Sequence, residues 1–225
     1  MAYRHTERVE EQLQDKRNRI LQAVRQVVGE VGFHGAQVTT VAEAAGVATG
    51  TVYRYFPSKG ELFAEALALN AQHEFEVVAA VAQADGSAAS RLADALRVFA
   101  DRAVRARRLA WAMIAEPAEP EVDAARLTYR RAFAEVFEKL IRAGISSGEF
   151  PAQNAAASAA CVMGALSEGL IGPLAPEAPD LADNRALVEA IVCFCLQAVA
   201  ASRCPSSPGP SSPRTRSFRV VESKR

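Results

Sequence analysis

Between Thr39 and Glu61 the chain is punctuated at short intervals, and this spacing narrows what it can fold into. Thr40 and Glu43 have the S/T-x-x-E spacing of a capping box, which predicts a short helix from Thr40 to Ala45. Gly46 ends it. A second short helix is predicted from Thr49 to Phe56, stopped by Pro57, because the residue before a proline is pushed out of the α region. Ser58 and Glu61 repeat the capping-box spacing and open a longer helix toward Val81. Two short helices across a tight glycine turn, held between longer ones, make a helix-turn-helix.

The rest of the chain repeats the helical period. Ile20, Val24, Val27, Val28 and Val31 form one apolar stripe on a first helix expected from Glu10 to Glu30, with Gly32 ending it in a left-handed conformation. Further helices are expected from Ser90 to Ala106, Leu109 to Ala115, Glu121 to Ala143, Gln153 to Ile171 and Leu181 to Ala201. The long helix before Gly144 carries Leu127, Phe133, Val136, Phe137, Leu140 and Ile141 on its apolar side. With half of its 225 residues hydrophobic and no alternating stretches, the chain is expected to be all-α with a sizeable core. Three segments follow: a helix-turn-helix domain over 1–63, a larger helical domain over 64–202, and a disordered basic tail over 203–225 rich in Ser, Pro and Arg.

No apolar run reaches the roughly 18–20 residues of a membrane helix. Met1 to Asp15 lacks the apolar centre of a signal peptide. The expectation is a cytoplasmic protein with no membrane partner. Cys161, Cys193 and Cys195 read as small packing residues and Cys204 as the start of the tail. Without a C-x-x-C pair, and with His5, His34 and His73 elsewhere, neither metal nor cofactor is expected. Net charge is zero but unevenly placed. Residues 1–60 carry eight Lys/Arg against six Asp/Glu, 61–202 carry twelve against nineteen, and 203–225 carry six against one. An acidic body between basic ends suits a nucleic-acid contact confined to one end.

Within the helix-turn-helix, Val41, Ala42, Ala45, Val47, Val52, Phe56 and Leu62 are spaced to pack inward. Thr49, Gly50, Thr51, Tyr53, Arg54 and Tyr55 are left outside as a row of hydrogen-bonding groups. Recognition helices read base edges through such residues while hydroxyls and amides hold phosphates. Arg54 has the reach for guanine or phosphate. Lys59, Thr39 and Thr40 stand at helix N-termini whose free amides favour a phosphate. Arg4, Arg8, Lys16, Arg17 and Arg19 are diluted by Glu7, Glu10, Glu11 and Asp15, so they are read as a solvated helix face.

The run Val38-Thr39-Thr40-Val41-Ala42-Glu43-Ala44-Ala45-Gly46-Val47, followed by Thr51-Val52-Tyr53-Arg54-Tyr55-Phe56-Pro57-Ser58-Lys59-Gly60-Glu61-Leu62-Phe63, resembles the DNA-binding signature of TetR-type repressors. The resemblance is specific over roughly residues 17–63 and is one of helix pattern beyond. It implies a dimer on double-stranded operator DNA, released when a small molecule binds the larger domain. It also implies that Thr51, Tyr53, Tyr55 and Lys59 match the family's commonest DNA-contacting positions.

Ala155, Ala156, Ala159, Ala160, Met163, Gly164, Ser167 and Ile171 form a small-residue face suited to a homodimer interface with the last helix. Phe99, Trp111, Met113, Tyr129, Phe133, Phe137 and Met163 are the expected lining of a ligand cavity, with Arg102, Tyr129 or Glu168 as polar contacts. Such a lining suits a lipophilic or aromatic effector. Two other functions compete: an effector-independent DNA-binding protein, and a helical enzyme. No Ser/His/Asp order, phosphate loop or ligand cluster supports the second.

Overall fold

The computed structural model describes residues 2–179 and 184–201, with side chains from residue 9 onward. Cys204 and the tail over 203–225 therefore lie outside the described residues, as do the side chains of Arg4 and Arg8 and the first residues of the expected last helix. Among the described residues there are nine helices: α1 (Ala2–Gly35), α2 (Val38–Ala44), α3 (Thr49–Tyr55), α4 (Lys59–Ala82), α5 (Ala88–Arg105), α6 (Arg107–Ile114), α7 (Pro120–Ser147), α8 (Ala155–Leu174) and α9 (Asn184–Ala200). The all-α expectation holds, with a helix-turn-helix domain followed by a helical domain.

Local chemistry explains most of the helix ends, and corrects one. α2 begins two residues before the predicted start, after an extended Gln37 that makes no side-chain cap. Thr40 is thus inside the helix rather than capping it. The physical reason is burial, since Val38 and Val41 both enter the core and draw the helix start back to Val38. The turn that follows is a Schellman motif. Gly46 is left-handed at φ 66°, its amide donates to the Glu43 carbonyl at 3.0 Å, and the Val47 amide reaches Ala42 at 2.9 Å. Phe56 is extended before Pro57, and the Ser58 hydroxyl accepts the Glu61 amide at 3.0 Å, as the spacing predicts.

α1 is longer than expected, and Gly32 breaks it near its end at φ 75° and ψ 177°, an extended positive-φ conformation open to glycine rather than the left-handed helix cap expected, with the chain helical again up to Gly35. α7 likewise begins at Pro120 and runs to a left-handed Gly148. Behind it, the Phe150 ring lies flat on buried Gly144, where a Cβ would collide with it.

Two apolar clusters share α4. The first joins Ile20, Val24, Val28, Phe33, Val41, Val52, Phe56, Phe63 and Leu67, and it takes in Ala112 of α6 and Val122 of α7. The second starts at Val78 and Ala82 and fills the space between α5, α7, α8 and α9. Among the predicted inward residues of the helix-turn-helix, only Val47 is half-buried rather than buried. Val31 (44% exposed) and Leu127 (50%) leave their predicted stripes for solvent, because the core faces of α1 and α7 sit one position away.

The cysteines divide differently from expectation. Cys195 is buried, whereas Cys161 and Cys193 are exposed on α8 and α9. The expectation that no stretch is long and apolar enough to cross a membrane also fails for α8, which meets both criteria. Its apolarity has a local use: Ala159, Val162, Met163, Leu166 and Leu170 are buried against the neighbouring helices.

Candidate DNA-binding surface and ligand cavity

The outward side of α3 follows from the burial of one residue. Val52 is 1% exposed, which turns Gly50, Tyr53 and Arg54 outward and leaves Thr49, Thr51 and Tyr55 half-buried at the edges. Tyr53 keeps 48% of its surface in water. Tyr55 instead leans on Phe56, with ring centroids 6.4 Å apart. Thr39 and Thr40 are exposed on α2. Of the expected contact set, Thr39, Thr40, Gly50, Tyr53 and Arg54 are thus exposed, and Thr49, Thr51 and Tyr55 are half-buried.

Lys59, at the first position of α4, is engaged. Its ammonium lies 3.1 Å from the Glu119 carboxylate and 5.1 Å from the centre of the Phe63 ring. Arg17 pairs with Glu65 and lies over the Phe56 ring at 5.1 Å, so part of its role is packing. Lys16 is half-buried and Arg19 exposed.

Glu119 belongs to a stretch, running from the α6–α7 segment into the first turn of α7, that grips the helix-turn-helix domain at three places. Glu116 accepts the backbone amides of Phe33 (2.9 Å) and His34 (3.2 Å), covering the free donors just after the Gly32 break. Its carboxylate occupies the space where a Gly32 Cβ would be. Glu121 packs in the same way on Gly60, one residue after Lys59. Arg126 ties the segment to α6 by donating to the carbonyls of Ala112 (2.5 Å) and Met113 (3.2 Å) and to Asp123 (2.6 Å). Its guanidinium also lies 5.6 Å from the Phe33 ring centre. Burial lowers the Arg126 pKa from its ordinary value, against the opposing pull of Asp123 and Glu116.

Directly behind this junction lies a cavity of about 120 Å³, partly open to solvent. Of the residues expected to line it, Phe99, Arg102, Met113, Tyr129, Phe133 and Met163 do so. Phe133 is clamped edge-on by Phe99 at 5.1 Å and by Phe75 at 5.7 Å. Burial raises the Tyr129 pKa.

Trp111, Phe137 and Glu168 do not reach the cavity. The α6 lining runs through Ala106, Leu109, Ala110, Met113 and Ile114, a single helical face that Trp111 misses. Phe137 is fully buried in the second cluster, one turn beyond Phe133. On α8 the inward phase is Met163 and Ser167, four residues apart, which leaves Glu168 exposed. Sequence reasoning missed Ser167 and the polar wall from α1, α4 and α7, namely Arg25, Asn70, Glu74, Arg126 and Arg130. The four-residue step from Met163 was the available signal for Ser167; nothing local marks Arg25 or Asn70.

The comparisons with known proteins agree with this geometry. The pattern described as "Bacterial regulatory proteins, tetR family" matches residues 20–66, and "Tetracyclin repressor-like, C-terminal domain" matches residues 85–168. The HTH-type transcriptional repressor KstR of Rhodococcus jostii is 47% identical over 62 residues, 28% of this chain and 27% of that protein. The match thus spans about a quarter of the length of this relative. The fold matches FadR from Bacillus subtilis, solved in complex with stearoyl-CoA, with TM-score 0.70 and 20% identity over 80% of this chain and 98% of that one. It also matches RolR, solved with resorcinol, with TM-score 0.65 and 18% identity over 84% and 90% of the two chains. KstR and FadR are both transcriptional regulators. With one pattern covering the helix-turn-helix and the other most of the cavity-bearing domain, the chain belongs to the TetR family of bacterial regulatory proteins.

Proposed function

We propose that this protein is a ligand-responsive transcriptional repressor of the bacterial cytoplasm, binding double-stranded operator DNA as a homodimer and releasing it when an apolar small molecule fills the cavity. The observation that carries this reading is continuity. The α3 surface with Gly50, Tyr53 and Arg54 sits on a small core that already includes Ala112 and Val122, and Glu116 and Glu119 connect that core to the helix lining the cavity. A ligand that shifts the end of α6 therefore has a short mechanical route to α3.

DNA contact is assigned to Tyr53, Arg54 and Gly50 on the exposed side, with Thr49, Thr51 and Tyr55 at its edges. Thr39, Thr40 and Lys59 hold phosphates outside that helix. Dimerisation is assigned to α8 and α9. On α8, Ala156, Ala160 and Gly164 face outward, while Ala155, Ala159, Met163 and Ser167 turn into the core, so three of the eight residues of the expected small-residue face are exposed to a partner. On α9, Ala186, Ala190, Cys193, Phe194 and Gln197 form one exposed stripe without a charged side chain. Two modules related by a two-fold axis read half-sites about 34 Å apart.

A gel shift with the DNA upstream of the protein's own coding sequence, at low salt and with competitor DNA, tests the reading. A specific shift is expected, and Tyr53→Ala should weaken it tenfold or more, by the ~1–3 kcal/mol of a base contact, while leaving helicity and dimer intact. Absence of any specific shift would overturn the repressor reading. A shift that no ligand relieves would favour an effector-independent DNA-binding protein.

A further inference from the structure

The cavity has two chemically different ends. Its buried wall is made by Ala103, Ala110, Phe133 and Met163, each less than a tenth exposed. One polar atom interrupts that wall. Ser167 is 3% exposed, and its hydroxyl has no hydrogen-bond partner among the described residues. A hydroxyl kept dry and unpartnered is costly, and a filled core would take alanine at this place without loss.

The open side is cationic. Four arginines line the cavity against a single carboxylate, Glu74, which is already taken up by Arg102. Arg126 is occupied by the α6 carbonyls and Asp123. Arg25 donates to Asn70 at 2.9 Å and has no carboxylate partner among the described residues. Arg130, exposed at the rim, has no ion-pair partner among them either. Unpaired guanidinium groups beside an apolar hollow suit carboxylate or phosphate oxygens, which they bind by charge-assisted hydrogen bonds.

We infer that the cavity takes an anionic amphiphile whose head lies against Arg25 and Arg130 and whose apolar body carries an oxygen that hydrogen-bonds the Ser167 hydroxyl. This rests on the cavity being the effector site. It goes further in making Ser167 the residue that distinguishes an oxygenated body from a plain hydrocarbon one. A plain chain leaves the hydroxyl unsatisfied, and sites built around a hydrogen bond discriminate strongly against ligands that lack it.

Calorimetry on the full chain with octanoate, a set of its monohydroxylated isomers, and the uncharged octanediol tests the inference. At least one hydroxylated acid should bind about tenfold more tightly than octanoate, and Ser167→Ala should bring that ratio close to one. Combining Arg25→Gln with Arg130→Gln should weaken the acids about tenfold and leave the diol unchanged. Melting curves and dimer mass of each variant check that it is folded. No hydroxylated isomer binding better than octanoate, a ratio that survives Ser167→Ala, or a diol that binds the unaltered protein as tightly as the acids would each overturn the inference. Operator binding without ligand is measured on the same samples. A protein that binds operator without these preferences overturns the inference alone, and one that shows them without binding operator overturns the repressor reading alone.

Discussion

The phosphate contact proposed for Lys59 competes with a pair already in place. In the free protein its ammonium is 3.1 Å from Glu119, and in the proposed DNA complex it would turn to a phosphate at the start of α4. The two interactions exclude one another. The ion pair is half-exposed on both sides, so it is worth at most about 1 kcal/mol. Glu119→Gln should therefore raise operator affinity a few-fold, and Lys59→Gln should lower it and flatten the slope of log affinity against log salt by about one. Anisotropy titrations across a salt series check both, and an unchanged slope in Lys59→Gln would remove Lys59 from the contact set. Gly32 is constrained in a different way: its φ of 75° and the Glu116 carboxylate above it leave no room for a side chain. Gly32→Ala should cost about 1–3 kcal/mol in positive-φ backbone strain alone, visible as a lower melting temperature, and more if Glu116 is displaced from the Phe33 and His34 amides.

At the scale of elements, helix starts are held by groups far away in sequence. The first amides of α5 are capped by Glu149, which accepts from Ala88 at 3.1 Å and Ala89 at 3.0 Å and also takes the Ser147 hydroxyl. Those backbone hydrogen bonds, from Ala89 first and then Ala88, lower the Glu149 pKa from 4.5 to about 2. Because the folded value is depressed, the stabilisation is fully present above about pH 4.5 and is lost as the pH falls toward 2. Melting temperatures measured across that window should fall less steeply in Glu149→Gln than in the unaltered protein, and parallel curves would count against the cap. The segment between α6 and α7 is a second such device, since Glu116 caps amides more than eighty residues earlier in the chain. Neither grip was legible in the sequence, because a carboxylate in a loop carries no mark of the distant amide it will meet. Ser58 was legible because its partner, Glu61, is three residues away.

For the whole molecule, the dimer face proposed on α8 and α9 would decide how many helix-turn-helix modules act together. Phe194 is 62% exposed in the middle of an uncharged stripe, more than any other large apolar side chain among the described residues. Burial of an aromatic side chain at a subunit interface stabilises it by roughly 1.5–3 kcal/mol. Phe194→Glu should shift the protein from dimer to monomer in light scattering after size exclusion and reduce operator affinity far more than a single lost contact would. A dimer that persists in this variant would put the interface elsewhere.

The sequence by itself determined that the chain is helical, where the glycine turn of the helix-turn-helix falls, and which side of α3 faces outward. These are matters of local spacing: a buried Val52 sets the phase of a seven-residue helix, and a proline or a left-handed glycine ends a helix within a turn. Only the tertiary structure decided that α2 starts at Val38, that Leu127 and Val31 are exposed, and that Cys161 and Cys193 face outward. It also decided that Ser167 rather than Glu168 looks into the cavity. The reason is geometric, since neighbouring helical residues point about 100° apart and a phase error of one residue exchanges core for solvent. Which carboxylate meets Lys59, and which arginines gather at the cavity mouth, depends on helices brought together from across the chain.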